Sequence, residues 1–164
     1  MLAALGSAVV AAADVLRVLS VFMAGITTGG MVFVYATIAP VMADWTPVQA
    51  WQLHAAMLRH DPDRYIKPAG VLAFFSSIAV LFVDTSATAA SLWLDAAGVA
   101  GFLGVVVVSE GWNVPVNRRV ADQTREMPAA EYEPLLRRWL RAHGWRTWSG
   151  VVALLCLTIS VAVR

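Results

Sequence analysis

Charge is scarce in this sequence. Asp, Glu, Lys and Arg make up 14% of its 164 residues, where soluble domains carry about 25%. Apolar residues reach 59% and mean hydropathy is +0.68. The excess lies in runs too long for buried core helices, so the bilayer is the expected solvent. Cysteine is nearly absent. Cys156 stands alone mid-run, which excludes an internal disulfide and reads as a small apolar packer. The chain has no P-loop, GxGxxG or CxxCH motif, and so no sign of nucleotide, dinucleotide or covalently held haem. The metal-ligand signatures HxxxH and HExxH are missing too. Its arginines follow the edges of apolar runs and do not interleave with aromatics on a basic face, which argues against nucleic acid. No internal repeat or heptad array is visible. Met1–Ala13 lacks the positive start of a secretory signal and reads as the beginning of the first helix.

What is present predicts an all-α protein, a four-transmembrane-helix bundle in one integral membrane domain. The expected spans are 18–43, 66–83, 88–109 and 145–163. The first contains Gly25 and Gly29, and the third contains Gly98, Gly101 and Gly104. Such small residues let helices approach closely in lipid, within one chain or between copies, so oligomeric state stays open. Asp95 lies about two turns into the third run and is expected to be hydrated. The spans show no paired internal charge, which argues against a narrow transporter. Thr46-Pro47 reads as an N-cap followed by proline at the first helical position, starting a short interfacial helix that ends near His60. Asp61-Pro62-Asp63 reads as a turn or a new start. Val116–Glu126 reads as an amphipathic piece. Pro128–Arg146 reads as a helix carrying Tyr132, Leu136, Trp139, His143 and Arg146 on one face. Gly144 is either a hinge into the fourth span or a point the helix passes straight through.

Four spans put both termini on one side and the loops 44–64 and 110–146 on the other. The loop side holds Arg59, Arg64, Lys67, Arg118, Arg119, Arg125, Arg137, Arg138, Arg141 and Arg146, and the terminal side only Arg17 and Arg164. The positive-inside rule therefore predicts cytoplasmic loops. Tryptophans cluster near the same face.

Several polar residues gather where the third run ends. Asn113 and Asn117 flank Pro115 and either hold a ligand oxygen or cap backbone groups freed by the proline. Trp139, His143 and Arg146 share a helical stripe. There the imidazole suits a general base, the guanidinium suits an enolate or phenolate, and the indole suits an aromatic ring. The alternative is an interfacial belt with Arg146 on lipid phosphate. Tyr35 adds a polar group deep in the first span. His54, His143 and Glu110 are the candidate metal ligands.

The pattern Asn113-x-Pro115-x-Asn117, followed by Trp139-x-x-x-His143-x-x-Arg146 leading into a fourth span, resembles the anthrone-oxygenase-like family of small four-span membrane proteins. The Gly/Thr-rich first span with Pro40 near its end fits as well. The resemblance makes Asn113, Asn117, Trp139, His143 and Arg146 the motif positions. It implies oxidation by O2 of an anthrone-like or other activated apolar substrate that partitions into the bilayer. An anthrone has a C–H made acidic by its carbonyl, and its carbanion can itself pass an electron to O2, which lowers the need for a metal or flavin. The implied parts are a base (His143 or His54), an oxyanion partner (Arg146, Asn113 or Asn117), and an aromatic slot with Trp139, Trp112 and Tyr35. The expectation is no cofactor, with copper or iron at His54 and His143 as the mechanistic alternative. A non-catalytic membrane binding or accessory protein is the alternative function.

Overall fold

The computed structural model describes residues 2–60, 63–122 and 127–164. Among them all regular structure is helical. Helix α1 (Leu2–Phe33) runs through a π-helical turn (Val34–Ile38) into α2 (Ala39–Asp44). Then come α3 (Pro47–Arg59), α4 (Asp63–Val83), α5 (Ala89–Val108), a second π-helical turn (Ser109–Asn113), α6 (Val114–Ala121) and α7 (Ala129–Ala162). Four stretches are long and apolar enough to cross a bilayer: Gly6–Asp44, Arg64–Val83, Ala89–Ala121 and Ala129–Ala162. The protein is a multi-pass membrane four-helix bundle.

The helix ends follow local chemistry. Thr46 and Gln49 form a reciprocal capping box at the start of α3, with Pro47 at the first helical position. Thr88 accepts from the Ser91 amide at the start of α5. The two π-helical turns each stand just before a proline, Pro40 and Pro115. Proline donates no N–H to the carbonyl four residues back and crowds it, so the ladder widens locally. At the second turn the carbonyl affected is that of Gly111, and Arg138 Nη2 donates to it from α7 at 3.4 Å. The amphipathic piece from Val116 ends as helix at Ala121. Its expected continuation, and Asp61-Pro62, lie outside the described residues.

Helix α7 passes straight through Gly144. The glycine is needed for room, not bending: a Cβ there would sit 3.2 Å from Tyr35 Cε2. Of the two glycine stripes, only that on α5 is packed within the chain. A Cβ on Gly98 would lie 2.7 Å from Leu157, and one on Gly101 2.8 Å from Ala153 Cβ and 3.0 Å from the Ser149 carbonyl. Gly25 and Gly29 meet nothing within 4 Å.

Two charge expectations are overturned at the terminal end of the bundle. Asp95 is 1% exposed, not hydrated. Arg17 Nη2 lies 2.8 Å from Asp95 Oδ2 and 2.7 Å from Asp84 Oδ2, so the bundle does carry a paired internal charge. Arg17 Nη1 also donates to Ser160 Oγ at 2.9 Å, and Ser160 donates to the Ser91 carbonyl. A guanidinium removed from water is stable only when its donors meet partners of opposite charge. Here the α4–α5 connection, α5 and α7 supply them to the arginine of α1. This ties all four spans together at the end opposite the loops.

Candidate functional site

The buried face of α7 carries Tyr132, Leu136, Trp139, His143 and Thr147 in turn. This is the spacing that keeps one helical stripe against its neighbours. Helix α3 lays His54 against the same stripe, 1% exposed. The His54 ring lies 4.9 Å from Trp139, tilted by 54°, and the His143 ring stacks on the same indole at 5.0 Å and 5°. Asn117 reaches this layer from α6 through His54 Nε2, at 3.1 Å. Apolar residues of α2, α3, α6 and α7 seal it, among them Met42, Val116, Val120 and Leu136.

His143 is fully buried and both its nitrogens are engaged. Arg146 Nε donates to Nδ1 at 3.0 Å, and Nε2 lies 3.1 Å from the Met31 carbonyl. Because a guanidinium only donates and a carbonyl only accepts, the ring is neutral with its proton on Nε2. Its lone pair faces a cation, so it offers nothing to a metal ion or to a second proton. His143 is held away from lipid headgroups, which removes the belt reading for it.

His54 has a different arrangement. Nε2 faces Asn117 Oδ1, and Nδ1 lies 3.2 Å from the Tyr132 hydroxyl, which donates at 3.2 Å to the Ala50 carbonyl. With the proton of neutral His54 on Nε2 and donated to Asn117 Oδ1, Tyr132 has one proton and two acceptors within reach. Adding a proton to His54 satisfies everything: Nδ1–H donates to Tyr132, Tyr132 to Ala50, and Nε2–H to Asn117. Burial nevertheless pushes the His54 pKa down to about 4, with the Asn117 hydrogen bond opposing the drop. The imidazole is therefore neutral at physiological pH in surroundings built to receive a proton.

The asparagines do not cap. Asn113 is 1% exposed and makes no side-chain cap bond. Neither its Oδ1 nor its Nδ2 has a partner, and Trp139 Nε1 is also buried and unpartnered. A buried amide left unpaired costs about 1–3 kcal/mol. These three polar atoms keep their hydrogen-bonding capacity unused.

Other expected residues lie apart. Glu110 is exposed, and among the described residues no group of three metal-ligating side chains forms. The grouping of Glu110 with His54 and His143 is thus corrected. Trp112 is 45% exposed and does not join Trp139 in one slot. It lines a groove of about 660 Å³ with Arg138, Arg141 and Trp145. On α7, Arg141 and Trp145 each follow a site residue by two positions, about 200° round the helix, so this groove faces away from the imidazoles. Tyr35 sits over Gly144 and is 40% exposed. Reasoning on the sequence missed Tyr132 as a working residue, although its place on the Trp139–His143 stripe signalled it. It missed the Met31 carbonyl altogether, since a backbone atom leaves no pattern.

A family model described as anthrone oxygenase matches residues 61–156. No curated protein and no solved structure matches the chain.

Proposed function

The chain belongs to the anthrone oxygenase family, and from that membership we propose that it is a membrane-embedded oxygenase acting with O2 on an anthrone-like or similarly activated apolar substrate. What supports this reading is the pair of imidazoles set against the Trp139 indole, whose N–H is buried and unpartnered, together with the buried, unpaired amide of Asn113 on the second π-helical turn.

His54 takes the proton from the activated C–H at Nδ1, passed on by the Tyr132 hydroxyl that lies against it, because its hydrogen-bond ring accommodates the imidazolium while that of His143 does not. Asn117 and Tyr132 hold it in place. The substrate oxygen that gains charge is met by the Asn113 amide and by the positive field of Arg146, which His143 positions. The carbanion passes one electron to O2, and recombination of the two radicals forms a C–O bond. After protonation the product is a hydroperoxide. Loss of the remaining C–H proton with cleavage of O–O releases water and leaves the second carbonyl, so R2CH2 + O2 gives R2CO + H2O. No metal is used. Copper or iron bridging His54 and His143 does not suit the donors, since Arg146 occupies the His143 lone pair. The loops carrying this site face the cytoplasm by the positive-inside rule, with both termini opposite, and the substrate arrives through the bilayer.

Oxygen uptake by the purified protein on an anthrone, with elemental analysis of the same sample, tests this. The expected result is turnover without stoichiometric copper or iron, lowered about 10²–10⁴-fold in H54Q. Turnover that tracks bound metal overturns the metal-free route. Neither metal nor turnover favours a binding or accessory protein.

A further inference from the structure

The groove on the outer side of α7 has no part in that chemistry. It is lined by Arg137, Arg138 and Arg141 together with the indoles of Trp112 and Trp145, and no acidic residue lines it. Arg138 is spent partly on the Gly111 carbonyl, at a long 3.4 Å. Among the described residues Arg137 pairs with Glu133, at 3.5 Å with both side chains about half exposed. Arg141 is exposed and has no partner among the described residues. Planar guanidiniums converging on one hollow match the oxygens of a phosphate monoester or diester.

What lies beyond the groove decides between free phosphate and lipid. From Arg141 a single exposed stripe continues along α7 through Trp145, Trp148, Val152, Leu155 and Ile159, at the alternating three- and four-residue spacing of one helical face. Trp145 and Trp148 are 71% and 58% exposed, and Val152, Leu155 and Ile159 about half. Cationic groove, tryptophan collar and apolar track follow one another in the order of headgroup, glycerol and acyl chain. A free phosphate has no use for the track.

We propose that this groove is a binding site for an anionic phospholipid, with the phosphate on Arg138 and Arg141 and one acyl chain along Val152–Ile159. Trp112, on the π-helical turn, lines the same groove as Trp145.

Tryptophan fluorescence of the detergent-solubilised full chain, titrated with short-chain phosphatidylglycerol, phosphatidylcholine or inorganic phosphate, tests the assignment. Phosphatidylglycerol is expected to bind more tightly than phosphatidylcholine, and less tightly as salt is raised. R141Q should weaken it about fivefold, the worth of one basic residue at an anionic surface, and R141K should retain most of the binding. Because Arg141 has no partner to lose among the described residues, R141Q should keep the wild-type melting temperature. L155S should weaken the lipid and leave phosphate unaffected. Equal affinity for the two lipids, or binding unchanged in R141Q, overturns the site. Inorganic phosphate competing as well as phosphatidylglycerol, with no effect of L155S, makes it a free-anion site and overturns the lipid assignment.

Discussion

Replacing His54 by glutamine should flatten the acid side of the protein's stability profile. His54 is 1% exposed, and burial brings its pKa from the ordinary 6.5 to about 4. Between those values the unfolded chain binds a proton that the folded protein excludes. Stability is therefore greatest above about pH 6.5, falls as pH drops towards 4, and loses nothing more from this group below that. The interval is about 2.5 pH units, and at about 1.4 kcal/mol each it amounts to about 3 kcal/mol. For a chain of this size that is a melting-temperature loss of roughly 6–12 °C. The assay is thermal unfolding in detergent at about pH 7, 5.5 and 4, comparing wild type with H54Q. Other titrating groups cancel in the difference, and the substituted glutamine keeps a donor for Asn117. Wild type should lose the stated amount relative to H54Q. Parallel curves would show that His54 is not a buried neutral imidazole. In activity assays the same group should give an acid limb near pH 4, and a limb near 6.5 would point to a different, exposed base.

Three further substitutions probe the frame. R17M should cost about 3–5 kcal/mol, because Asp95 keeps a buried charge without its partner and Asp84 is left with Ser86 and a longer contact to Arg164; a melting point within a degree or two of wild type would deny the lock. G101A should cost about 1–3 kcal/mol through its clash with Ala153 and the Ser149 carbonyl, whereas G25A should be neutral or stabilising, since nothing opposes its methyl and Ala is the better helix former; equal effects in thermal unfolding would refute the packing. Y132F leaves His54 Nδ1 and the Ala50 carbonyl unpaired, which costs about 1–3 kcal/mol and should lower turnover more than it lowers substrate binding; kinetics at saturating substrate separate the two.

Much of the frame was legible because bilayer physics writes it locally. Unbroken apolar runs, Thr46-Pro47 and Thr88 marked helices and their starts, and the 3.6-residue spacing from Tyr132 to Arg146 drew the working face of α7. What escaped was pairing across the chain. Arg17 meets Asp84 and Asp95 at separations of 67 and 78 residues, and Asp95 alone near a helix start looks like a solvated acid. The same holds for His54 with Asn117, 63 residues on. The π-helical turns explain the rest. A widened turn re-phases the side chains that follow it, and Trp112 and Asn113 stand on the second such turn, the first exposed and the second buried. The regular spacing of an ordinary helix does not forecast that.

The most direct measurement of the central claim is N113L, assayed for anthrone-dependent oxygen uptake and for thermal stability on one preparation. Leucine branches at the same carbon as asparagine and removes two buried polar atoms that have no partner, so the variant should melt at or above the wild-type temperature. Turnover should fall about 100-fold or more, as for loss of a donor to a developing oxyanion. A stable N113L with wild-type turnover would contradict the account, because the unpaired amide would then serve no guest.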